Sequence, residues 1–118
     1  MKPLSLLLCL TVTLALAAGQ LLFKKAATSI STATLSAGLL DALRNPYLLG
    51  GLLLYALTTG LWVYVLNSVP LGKAYPFTAA AYLIVPLAAH YLFGEVWNLQ
   101  MLFGSLLIVA GIVAIGSA

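Results

Sequence analysis

Charge is what this chain has least of: five Lys/Arg and two Asp/Glu among 118 residues, or 6% charged, against 64% hydrophobic. So few charged groups cannot cover a water-soluble globule. With no basic tail or stripe, the net charge of +3 also excludes the electrostatic footprint of a nucleic-acid binder. Cysteine is almost absent. Cys9 alone supports neither a disulfide framework nor a metal ligand set, and within an apolar run it reads as a small filler. No metal site and no cofactor are expected. Also missing are a phosphate-cradling glycine loop with a following lysine, a Cys/His metal spacing and a nucleophile elbow. Two carboxylates leave little for acid–base catalysis, so the expectation is not an enzyme.

Four long apolar stretches fill the chain instead: Leu4 to Phe23, Pro46 to Leu66, Gly72 to Phe93, and Asn98 to Gly116. Each matches the roughly 20 residues, at about 1.5 Å rise, that cross a ~30 Å hydrocarbon core. In lipid the backbone must satisfy its own polar groups, so these runs are expected to be helices. The expected fold class is all-α: one transmembrane domain over 1–118, with spans at about 4–23, 46–66, 72–93 and 98–116. Lys2, the first run and Ala15-Leu16-Ala17 have the form of a secretory leader. Continuation through Leu21-Leu22-Phe23 to Lys24-Lys25 reads instead as a span with a basic stop, and a retained first span is the expectation.

Residues 24–45 separate the first two spans. They hold four of the charges, Lys24, Lys25, Asp41 and Arg44, and space Leu35, Leu39, Leu40 and Leu43 at helical intervals, with Asp41 and Arg44 an i, i+3 pair. A surface helix fits, and so does an ordinary loop or an extension of span one. Asn67-Ser68-Val69-Pro70 and Gly94 to Trp97 are tight turns that force antiparallel neighbours. Four spans put both termini on one side with Lys2 and Lys73, and Lys24, Lys25, Arg44 and Glu95 on the other. The lysine and arginine count, three against two, weakly favours a cytoplasmic first loop and permits insertion both ways, as in an inverted pair.

Function must come from the few polar groups. Lys73, near the start of span three, either snorkels to the headgroups or holds an anion such as a lipid phosphate. Pro76 and Pro86 each remove a helical hydrogen bond, from the carbonyls of Gly72 and Tyr82, and mark kinks of the kind found both in binding sites and in ordinary packing. Glu95 stands roughly 33 Å from Lys73 along the span. It is expected to cap span four beside Trp97, to reach Lys24 or Lys25, or to meet Lys73 of an inverted partner. His90 and Gln20 read as helix–helix hydrogen bonders or, for Gln20, a ligand contact. Trp62, Tyr55, Tyr64, Tyr75 and Tyr82 can stack on a sugar or cation, or simply pack. Gly104 and Gly111, seven apart with Ile108 between them, form a face that lets another backbone approach.

The combined pattern resembles a known family. Ala18-Gly19-Gln20-Leu21 with Lys24/Lys25, the segment from Asn67 through Gly72-Lys73-Ala74-Tyr75 to Pro76, Gly94-Glu95, and the span-four glycines are similar to the drug/metabolite transporter superfamily. The resemblance is to its four-helix members, the small multidrug resistance proteins and the small subunits of the aminoarabinose-phosphoundecaprenol flippase. It implies that the proton- and drug-binding glutamate of the multidrug exporters falls near Leu16 here, where there is no carboxylate. A basic, carboxylate-poor interior suits a phosphate better than a cation. Lys73 lies outside the family motif, where an apolar residue is usual, and its role rests on charge and position alone.

The chain is therefore expected to translocate a polyprenyl-phosphate-linked sugar or related anionic lipid across a bacterial inner membrane. Lys73, Tyr75, Gln20, Glu95 and Lys24 are the candidate substrate contacts. A dimer, with itself or a similar small subunit, is expected through Gly104, Ile108 and Gly111. Two other functions stay open: proton-coupled export of small cations or metabolites through Glu95 or His90, and a non-transporting subunit that stabilises a membrane partner.

Overall fold

The computed structural model describes residues 2–118 and is all-helical there: α1 (Pro3–Ala27), α2 (Leu35–Arg44), α3 (Pro46–Leu66), α4 (Leu71–Thr78), α5 (Ala81–Phe93) and α6 (Leu99–Gly116). Four stretches are long and apolar enough to cross a membrane: α1, α3, α4 with α5, and α6. The first runs past its expected basic stop, carrying Lys24 and Lys25 in its last turn, where cations meet the negative end of the helix dipole. The helix starts follow local chemistry. Pro3 and Pro46 take first-turn positions that need no N–H. Asn45 accepts from the amides of Tyr47 and Leu48 at 2.9 and 3.1 Å, and Asn98 from that of Met101 at 2.9 Å. Gly94, at φ 68°, ends α5 in the left-handed region that only glycine enters without strain.

Expected span three is two helices. The break at Ala79-Ala80 falls one turn beyond Pro76, where the Ala79 amide turns back to the Pro76 carbonyl and the Ala80 amide to that of Phe77. Helix α5 runs continuously through Pro86. The break is tied to its neighbour: Thr13 of α1, fully buried, donates its hydroxyl to the Phe77 carbonyl (3.1 Å) as well as to that of Cys9 (2.8 Å).

Helix α1 is the hub, packing on α3, α4 and α5, whereas α6 packs mainly on α4 and α5. Glycines bring α1 and α3 close. A Cβ on Gly19 would sit well inside contact with the Tyr55 ring, and one on Gly51 within 2.6 Å of Phe23. The two rings meet edge to face, centroids 5.0 Å apart. Cys9 and Val65 share a core cluster with Val69 and Ala74 at the far end of the seam. The residue numbers of the pairs 9 and 65, 19 and 55, and 23 and 51 share one sum, the signature of an in-register antiparallel pair.

Within residues 24–45, α1 continues to Ala27 and a separate helix, α2, forms over Leu35–Arg44. The Asp41–Arg44 spacing does not yield an ion pair, because Asp41 turns instead to the Ser31 amide, 2.9 Å away. At the two glycines of the α6 face the bundle keeps its distance: a Cβ on Gly104 or Gly111 would find open space, although Ile108 between them is half-buried.

Candidate functional site

A cavity of about 610 Å³ lies where α1, α3, α4 and α5 converge. Leu16 and Gln20, one turn apart, line it from α1, and Tyr55 from α3. Tyr75, Pro76 and Thr78 line it from the end of α4, with Tyr82, Val85 and Pro86 from α5. The break between α4 and α5 splays these side chains around the space. Tyr55 is held by its seat against Gly19, so its hydroxyl meets the Gln20 amide, whose Nε2 donates to it. Thr78 spends its hydroxyl on the Tyr75 carbonyl, 2.6 Å away. The wall therefore carries three phenols and one carboxamide, with no charged side chain. Such a wall can stack on a sugar ring and hydrogen-bond hydroxyls, but supplies no counter-charge to a phosphate.

The structure brings two of the expected contact residues, Gln20 and Tyr75, into this cavity, together with both prolines. The charged ones stand elsewhere. Lys73 lies two residues from Tyr75, about 200° around the helix, and donates to the Ala118 carbonyl at 3.0 Å. Lys24 and Glu95 meet each other at 3.7 Å, both half exposed, at the opposite end of the bundle. A pair so exposed contributes at most about 1 kcal/mol. Glu95 does not cap α6, since Asn98 holds that position. His90 places Nδ1 2.7 Å from the Glu95 carbonyl, which can only accept, so the proton sits on Nδ1 and the ring ties the end of α5 to the following loop. Thr78 and the cross-helix role of Thr13 had no signal in the sequence. Tyr55 had one: Gly19 beside Gln20 marks a close approach next to a polar group.

Four spans, three of which line an uncharged aromatic cavity, define a small multi-pass membrane protein. No protein-family profile matches the chain, and no solved structure matches it. Named relatives do. It is 37% identical over 116 residues to a protein of Erwinia tasmaniensis named probable 4-amino-4-deoxy-L-arabinose-phosphoundecaprenol flippase subunit ArnE, covering 96% of this chain and 97% of the relative. Proteins of the same name from Sodalis glossinidius and Pseudomonas aeruginosa are 40% and 43% identical, over 93% and 63% of this chain and 95% and 64% of theirs. The chain belongs to the ArnE family of flippase subunits.

Proposed function

We propose that this chain is a subunit of a flippase for a polyprenyl-phosphate-linked sugar in a bacterial inner membrane, and that the cavity receives the sugar. The observation carrying this reading is the charge-free, tyrosine-walled cavity in a chain matched along its length by relatives named for a lipid-linked amino sugar. Gln20, Tyr55, Tyr75 and Tyr82 face the sugar. The phosphate, which that wall cannot neutralise, keeps to the headgroup level at each end, near Lys73 on one side and Lys24, with its partner Glu95, on the other. The face of Gly104, Ile108 and Gly111 is left for a second copy or a similar small subunit, since an added Cβ at either glycine would meet nothing in this chain. Proton-coupled cation export finds no carboxylate in the cavity wall.

The test is sugar-lipid translocation in native membrane vesicles, measured with the wild-type chain, Gln20→Leu and Tyr55→Phe at matched abundance. Each variant removes one partner of a hydrogen bond contributing about 1 kcal/mol, so each is expected to slow translocation roughly five- to tenfold. Transport at the wild-type rate in both would remove the sugar from this cavity. Proton release upon addition of a lipophilic cation would favour the exporter instead.

A further inference from the structure

Helix α2 is turned the wrong way round for a segment in water. Thr34 begins it, accepting from the Ala37 amide at 3.1 Å. The side bearing Gly38 and Asp41 is pressed onto the turn that precedes it: Asp41 takes the Ser31 amide, and a Cβ on Gly38 would stand 2.8 Å from the Ser31 carbonyl oxygen. The opposite side carries Leu35, Leu39 and Leu43 at i, i+4 and i+8, with Leu40 beside them. They are 80%, 57%, 72% and 48% exposed. A solvated helix would show the reverse.

The chain itself fixes the depth of this face. Asn45 is the only residue between Arg44, the last of α2, and Pro46, the first of a membrane span. Consecutive Cα atoms are about 3.8 Å apart, so α2 ends at the edge of the bilayer. Cations gather at this corner. Arg44 is exposed with no carboxylate partner among the described residues, and Lys25 lies 5.8 Å from the ring centroid of Tyr47 in the first turn of α3.

We propose that α2 is a membrane-surface helix: its leucine face is immersed at the boundary between headgroups and acyl chains of the chain's own bilayer, with Arg44 and Lys25 at the level of anionic lipid phosphates. Asn45 extends the effect inward. Its Nδ2 donates to Ser29 Oγ at 2.8 Å and to the Ala26 carbonyl at 3.4 Å, so the surface helix is fastened to the end of α1, the helix that carries Gln20 into the cavity. The lipid surface thereby sets the depth of the cavity-lining helix.

The test uses the full chain with Cys9→Ala and one nitroxide-labelled cysteine, at Leu35→Cys, Leu39→Cys, Leu43→Cys or, for contrast, Thr32→Cys. The vesicles are phosphatidylcholine with and without phosphatidylglycerol. Labels at 35, 39 and 43 are expected to collide with oxygen and be shielded from a water-soluble nickel chelate, with the label at 32 showing the opposite. Nickel collisions along the leucine face would show a solvated helix, and shielding from both reagents would show a protein covering it; either overturns the proposal. In native mass spectra, Arg44→Gln and Lys25→Gln are each expected to lower retention of phosphatidylglycerol over phosphatidylcholine about fivefold, the equivalent of ~1 kcal/mol per basic residue. Unchanged retention in both would overturn the phosphate contact.

Discussion

Replacing Gly19 with leucine is expected to cost about 3 kcal/mol, the upper part of the range for forcing a large side chain into a packed contact. A bare Cβ at this position already overlaps the Tyr55 ring, and the antiparallel seam of α1 and α3 leaves that ring little room to retreat. The effect reaches the cavity, because Tyr55 is the hydrogen-bond partner of Gln20. Thermal unfolding in mild detergent measures the loss. A double replacement, Gly19→Leu with Tyr55→Ala, isolates its origin: the ring removed, the new side chain has space, and the pair should be less destabilised than the sum of the single changes by 1 kcal/mol or more. Strict additivity would mean that the seam does not depend on this contact.

Asn45→Ala is the second large effect, at about 2 kcal/mol. One side chain closes the start of α3 through the Tyr47 and Leu48 amides and reaches Ala26 in the last turn of α1 and Ser29 just beyond it. N-caps alone contribute about 0.5–2 kcal/mol, and Asn45 is buried, so the groups it leaves are not fully rehydrated. Asn45→Asp separates the two functions: the carboxylate still caps α3 but cannot donate to Ser29 or Ala26. It should recover part of the stability while leaving the amides of residues 28–33 exchanging faster in deuterium. Identical exchange in Asn45→Ala, Asn45→Asp and wild type would show that the asparagine fastens nothing.

The span positions were legible because membrane spans announce themselves by length and composition, and Pro46, Asn67-Ser68 and Asn98 punctuate them. Expectation and structure part where a side chain chooses between partners. Glu95 had two readings, as the cap of α6 or as a partner of Lys24 or Lys25; Asn98 captures the cap and leaves Glu95 to Lys24. Asp41, spaced for Arg44, finds a backbone amide closer. The break after Pro76 was read as a kink at the proline, but the turn that absorbs it lies downstream, where Thr13 can satisfy Phe77 from another helix. The cavity was half visible. Gln20 and Tyr75 were legible as rare polar groups in apolar spans, whereas Thr78 and the position of Lys73 depend on which way α4 is rotated, which a helix of eight residues with polar groups on several sides does not encode.

Tyr75 and Tyr82 are at once cavity wall and outer surface, 65% and 69% exposed. If the proposed lipid enters past them, only its headgroup has to meet the aromatic wall and its tail stays in the surrounding bilayer. Chain length should then be invisible to the machine: a lipid with a few isoprene units and one with many are expected to cross at the same rate in a vesicle assay, and a steep dependence on length would mean that the tail is gripped.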